Sequence, residues 1–152
     1  MKNDKTDNHE QLFWEEIDRL FPDMIKAIAS LSKKSYLSIT NLRTGITWWS
    51  ERAMDYFGMK ENYTIRGMEK ANRKIHPDDV ATFKRGFKER VDGKNLDTAW
   101  EYRIQDGDSY NRFNAMARVL YDEQKQPFII IIRYDNYGIS DEVDSVTGLY
   151  TE

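Results

Sequence analysis

Three consecutive stretches between residues 98 and 135 carry strand patterns, the first two by alternation of hydrophobic and polar positions and the third by an unbroken apolar run. Trp100, Tyr102 and Ile104 are interleaved with Glu101 and Arg103, a two-residue period that predicts a strand with one face in a core. Asp106-Gly107 predicts a tight turn, because glycine tolerates the positive φ such turns require. Residues 110–121 alternate again and place Phe113, Ala115, Ala117 and Val119 on one face. A polar turn at 122–126 and Pro127 then lead into Phe128-Ile129-Ile130-Ile131-Ile132, which is apolar at every position. A strand apolar on both sides must be covered on both sides. The pattern therefore predicts a central strand with a layer over each face of its sheet.

The N-terminal third carries a different period. Phe13, Ile17, Leu20, Met24 and Leu31 recur at helical spacings over residues 10–34, and Pro22 predicts a kink or a break into two helices. Such a segment suits a helix that pairs subunits or carries a signal. It suits equally a lid over the spare apolar face of the sheet. Residues 1–9 are polar, without periodic apolar positions, and are expected to lack regular structure.

Tyr36–Asn41 and residues 46–50 read as strands around a turn at Arg43-Thr44-Gly45. Glu51–Phe57 reads as a short helix stopped by Gly58, and residues 59–75 as one or two helical turns. His76-Pro77-Asp78-Asp79 is a helix opening, with proline at the first helical position and carboxylates at the positive end of the helix dipole. Val80, Phe83, Phe87 and Val91 follow at helical spacing and Gly93 ends the run, while Lys84, Arg85 and Lys88 read as a solvated face. Gly86 in mid-helix costs about 1 kcal/mol relative to alanine, which predicts a close approach to the sheet. The sum is an α+β architecture: a five-stranded antiparallel sheet with helices gathered on one face and an N-terminal helical extension over the other.

Composition narrows the possible functions. The 152 residues are enough for a core without staples, and the absence of cysteine removes disulfides, thiolate metal sites and cysteine chemistry. Twenty-three basic against 26 acidic residues, a net charge of −3, leaves no electrostatic footprint for nucleic acid. No apolar run reaches the roughly 18 residues that cross a membrane. Residues 1–9 lack the apolar core of a signal peptide, so a cytoplasmic location is expected.

The order of these pieces resembles a PAS domain of the branch found in bacterial sensor proteins. The resemblance rests on Trp49-Ser50 before a helix ending Phe57-Gly58, then Ile75-His76-Pro77-Asp78-Asp79. It continues through Glu101-Tyr102-Arg103-Ile104, Asp106-Gly107 with Tyr110, Arg118-Val119 with Asp122-Glu123, Pro127 and a closing Asp135. Lys125 stands where the family usually has glycine, and Asn136-Tyr137 replaces the Ile-Thr that often follows the aspartate. At the C-terminus, Asp144-Ser145-Val146-Thr147-Gly148-Leu149-Tyr150 is similar to the segment that opens GGDEF diguanylate cyclase domains. The expected organisation is a tail and helical extension over 1–34, a PAS domain over 35–136, and a linker with the first residues of a GGDEF domain over 137–152.

The resemblance implies a sensory domain that regulates an attached diguanylate cyclase in cyclic di-GMP signalling, with a ligand pocket between the inner sheet face and the helices. Aligned on Asp135, the family register turns Ile129, Ile131 and Arg133 inward, with Phe128, Ile130, Ile132 and Tyr134 outward. Ser38, Thr40, Tyr102, Phe113 and Ala115 also point inward, Phe83 and Phe87 close the pocket from the long helix, and Leu37 and Ile39 face out. A buried guanidinium needs an anionic or hydrogen-bonding partner, so Arg133 either meets a small polar or anionic ligand or, the favoured reading, pairs with an acidic side chain or reaches solvent. A ligandless interaction module is the alternative reading. A well-filled interior would favour it, whereas a pocket of about 300 Å³ or more with convergent polar groups would favour sensing.

No cofactor is demanded. Flavin linked through cysteine has no thiol to use, and haem would need an axial ligand. His9 lies in the polar start, and His76 has a sufficient role capping its helix. His76, Asp78 and Asp79 are the compact acid–base cluster, but no nucleophile or phosphate loop accompanies them, so this fragment is read as non-catalytic. The expected partners are a second copy, through the N-terminal helices or the outer sheet face, and a C-terminal GGDEF domain, with neither nucleic acid nor membrane.

Overall fold

The computed structural model describes residues 9–13, 15, 27, 28, 30 and 35–140. The expectations for residues 1–8, most of the N-terminal helical run including Pro22, and the segment 141–152 lie outside them. The described elements are strands β1 (Tyr36–Asn41) and β2 (Ile46–Trp49), helix α1 (Glu51–Phe57), strand β3 (Tyr63–Ile65) and helix α2 (Gly67–Asn72). A 3₁₀ turn (Pro77–Asp79) then leads into α3 (Val80–Val91), followed by β4 (Trp100–Asp106), β5 (Ser109–Tyr121) and β6 (Pro127–Ser140).

The strands form one sheet in the order β3-β2-β1-β6-β5-β4, every neighbouring pair antiparallel. The sheet has six strands where the sequence led us to expect five. The extra one is the three-residue edge strand β3, from a stretch read as helical turns; it pairs Ile65 with Ile46 and Tyr63 with Trp48. The isoleucine-rich β6 is central, flanked by β1 and β5.

Local chemistry sets the element ends. Ser50 Oγ accepts the Ala53 N–H at 3.2 Å and the Leu37 N–H at 3.0 Å, so one hydroxyl caps α1 and ties it to β1. Gly58, at φ +73°, ends α1 in the left-handed conformation. His76 Nδ1 accepts the Asp78 N–H at 3.0 Å with Pro77 next to it, the capping role its sequence context indicates.

Two apolar layers sandwich the sheet. The inner face and helices α1–α3 share a core built around Trp49, Phe57, Phe83, Tyr102, Phe113 and Ile132. On the outer face, Leu37, Ile39, Ile46, Phe128 and Ile129 are buried together with Phe13, and Ile28 packs against them. Residues 9–13, 15, 27, 28 and 30 are helical, so a helical layer does lie over this face where the chain is described.

Candidate functional site

The space between the inner sheet face and the helices is where a ligand would sit, and its residues come from strand parity. Ser38 pairs with Ile132 and Thr40 with Ile130 across β1–β6, while Ala115 pairs with Tyr134 and Ala117 with Ile132 across β5–β6. Directly paired residues share a face. The inward set is therefore Ser38, Thr40, Tyr102, Phe113, Ala115, Ile130, Ile132 and Tyr134, and the first five lie where the sequence reading placed them.

On β6 that reading is corrected. Ile130, Ile132 and Tyr134 face inward, whereas Ile129, Ile131 and Arg133 face outward. A run of apolar residues carries no alternation to fix its phase, and the family alignment set it one residue off. The physical arbiter is the pair that follows: turning Arg133 inward would strand a guanidinium in an aromatic core and expose Tyr134. Arg133 instead keeps 56% of its side chain exposed and pairs with Asp135 at 3.2 Å. Phe128 stays outward as expected, beside Ile129, because a register shift between Leu120 and Tyr121 interrupts the alternation there.

The interior is filled by its own rings. Phe113 meets Tyr56 at 5.2 Å and Tyr36 at 5.8 Å between centroids. Phe57 meets Trp49 at 5.3 Å and Tyr134 at 5.6 Å, and Phe83 meets Tyr102 edge-on at 4.9 Å. Among the described residues, a cavity lined by Phe57, Asn72, Phe83, Tyr102 and Tyr134 among others measures about 10 Å³. That is room for about one water molecule. Phe87, expected to close a pocket, is half-buried and packs on the same core.

Polar groups on the inner face are mostly spoken for. Ser38 Oγ and the Tyr134 hydroxyl share a hydrogen bond at 3.1 Å, and Thr40 and Thr47 share one at 2.8 Å. Burial raises the Tyr134 and Tyr102 hydroxyls above their ordinary pKa, so both keep their protons. The Tyr102 hydroxyl has no protein partner, and Tyr102 is one of the residues that line the small cavity. On α1, Tyr56 donates to the Ile104 carbonyl at 3.3 Å and accepts from Asn111 at 3.0 Å. Burial, partly offset by that Asn111 bond, pushes its pKa up to about 12.

A buried cation is present, but it is Arg90. It donates to the Gly86 carbonyl at 3.2 Å and to the Thr98 carbonyl, and its guanidinium lies 3.9 Å over the Trp100 ring. Burial lowers its pKa, with Glu89 at 3.6 Å working the other way. The sequence held a signal for it: Phe83, Gly86 and Arg90 share one helix face, and a glycine among them marks that face as pressed against something bulky.

The acid–base cluster at the helix opening is committed to structure. Asp79 accepts from Arg103 Nε at 2.8 Å, from Arg103 Nη2 at 3.0 Å and from the Arg103 backbone N–H at 2.8 Å. Burial alone would raise the Asp79 carboxyl, but the bonds from Arg103 outweigh it and hold the carboxyl below its usual range. Among the described residues no group of three or more His, Cys, Asp or Glu could hold a metal ion, and no helix is long and apolar enough to cross a membrane.

An antiparallel sheet with short helices and one longer helix over its inner face defines a PAS-type α+β domain. Residues 46–132, more than half the chain, match the family described as the PAS fold, and the chain belongs to that family. Among solved structures it is similar to a sensory box histidine kinase/response regulator from Burkholderia thailandensis, at 16% identity and TM-score 0.60 over 83% of this chain and 92% of that one. The N-terminal domain of a diguanylate cyclase with PAS/PAC sensor from Marinobacter aquaeolei matches at 15% identity and TM-score 0.56, over 69% and 96%. A PAS domain from Colwellia psychrerythraea matches at 18% identity and TM-score 0.53, over 76% and 98%. No curated protein matches the chain.

Proposed function

We propose that this chain is a cytoplasmic regulatory PAS domain that acts on an adjoining diguanylate cyclase through the contacts it makes, rather than through a captured small molecule. The observation that carries this reading is the interior, where rings from five strands and two helices leave a cavity of about 10 Å³. A sensing pocket for a small organic ligand is typically some thirty times larger or more, on the order of 300 Å³. The Tyr102 hydroxyl and the Trp100 Nε1–H are buried in this core without protein partners, and the small cavity that Tyr102 lines has room for about one water but not for an organic ligand.

The cyclase assignment draws on the similarity of residues 144–150 to the start of GGDEF domains. The Marinobacter neighbour adds that this fold occurs beside such an enzyme. Pairing of subunits through the N-terminal helices or the outer sheet face belongs to the same proposal, since the signal would shift a balance between packings rather than fill a pocket.

Native mass spectrometry of freshly purified protein tests the reading. The expected result is subunits at the mass of the bare chain. A small molecule retained in stoichiometric amount, and lost on changing Tyr102 to phenylalanine, would overturn it.

A further inference from the structure

Histidine is the side chain whose charge ordinarily changes between about pH 5 and 8, and His76 has a task that depends on its charge. Its Nδ1 accepts the Asp78 N–H at 3.0 Å, which requires a lone pair there, so the neutral ring carries its proton on Nε2. A second proton, taken from water, removes that acceptor. The imidazolium has two N–H donors and nothing with which to cap the turn.

The surroundings offer a replacement bond. The charged and titratable groups around the ring are Asp78 and Asp79 from its own turn, Arg103 from β4 and Tyr110 from β5. Asp79 is held by three bonds from Arg103. The Asp78 carboxylate is free to turn: its side chain is 79% exposed, and among the described residues it accepts no hydrogen bond. One of its oxygens already lies 4.0 Å from Nδ1. A movement of roughly 1 Å brings it to the ~2.8 Å of a charge-assisted bond. That carboxylate also offsets the helix dipole, which opposes a cation at the start of α3. The Tyr110 ring, 4.6 Å from the imidazole between centroids, favours the cation as well.

We infer that His76 is a pH-driven switch in the opening of α3: on protonation, Nδ1 releases the Asp78 N–H and donates instead to the Asp78 carboxylate. Asp78 is exposed, so its freed N–H turns to water. The exchange takes place where this turn is fastened to the outer edge of β4. There the His76 backbone N–H donates to the Arg103 carbonyl at 2.9 Å, Ile75 bridges Ile104, and Asp79 holds the Arg103 backbone. A change at the cap therefore reaches both α3 and the sheet. The switch works whether the interior is filled or holds a ligand.

NMR of the isotopically labelled protein between about pH 5.5 and 8, above the ordinary range of carboxylates, tests this. The chain has two histidines, and a His76→Asn spectrum identifies the His76 ring by its loss. In the unmodified protein the Asp78 amide proton is expected to move upfield on the same titration curve as the His76 ring. The Asp78 carboxyl carbon is expected to follow that curve too, and to shift further than the carboxyl carbon of Asp79. In His76→Asn, whose carboxamide oxygen caps at every pH, the Asp78 amide is expected to hold still. An Asp78 amide that ignores the ring's titration, one that moves equally in His76→Asn, or an Asp78 carboxyl carbon that stays in place would overturn the inference.

Discussion

Replacing Gly86 by alanine sets two known magnitudes against each other. Removing a glycine from a helix interior is worth about 1 kcal/mol to the helix. The added Cβ would stand 2.9 Å from Cδ1 and Nε1 of Trp100 and 3.1 Å from its Cε2. Those distances are well inside the ~3.5–4.0 Å at which such atoms rest. Trp100 has little room to yield, since the Arg90 guanidinium sits 3.9 Å over its face and the Phe83 ring lies 6.0 Å away. Overpacking of this kind costs about 1–3 kcal/mol. Taking about 2 kcal/mol for the clash leaves Gly86→Ala destabilised by about 1 kcal/mol, a fall in Tm of about 4 °C for a domain of this size. Urea unfolding followed by circular dichroism measures it, and repeating the change in a Trp100→Phe background isolates the contact. With the indole gone, alanine at 86 is expected to be neutral or stabilising. If Gly86→Ala stabilises by about 1 kcal/mol in both backgrounds, α3 does not press on β4 as described.

Other expectations follow from the same geometry. Ser38→Ala leaves the buried Tyr134 hydroxyl without its partner and is expected to cost about 1–3 kcal/mol in urea unfolding. Phe113→Ala opens a void among Tyr36, Tyr56 and Tyr102 and is expected to cost about 3–5 kcal/mol by the same measurement. Arg133→Ala is expected to change stability by less than about 0.5 kcal/mol, since its partner Asp135 is also on the surface. The Asp79 carboxyl has a folded pKa below its unfolded value of about 4, so its contribution is complete above about pH 4 and is lost as the pH falls through the folded pKa. Asp79→Asn should therefore destabilise by about 1 kcal/mol at pH 7 and progressively less at acid pH, read from parallel melts.

Much of the fold could be read from the chain because period and punctuation agreed there. Tyr36–Asn41 and Glu51–Phe57 were placed to the residue, each bounded by a turn or capping signal, and the alternation in β4 and β5 gave the correct inward face. Where periodicity was absent, the reading relied on analogy. Residues 128–132 are apolar throughout, so nothing local fixed their phase, and the decisive contrast lay just beyond them in Arg133 and Tyr134. β3 escaped because three residues at a sheet edge are too few to show a pattern. Arg90 escaped because a cation on an otherwise basic helix looks solvated. The spacing of Phe83, Gly86 and Arg90 marks the pressed face, but it does not name the Trp100 ring or the two backbone carbonyls that hold Arg90 there.

The central claim is that the domain's own side chains occupy the space where a sensed molecule would sit. A high-resolution crystal structure of freshly purified protein, with a second crystal pressurised in xenon, tests this most directly. The expected density between the inner sheet face and α3 is at most one water near the Tyr102 hydroxyl, with no xenon peak. An ordered organic molecule, or xenon bound among Phe57, Phe83 and Tyr134, would contradict it.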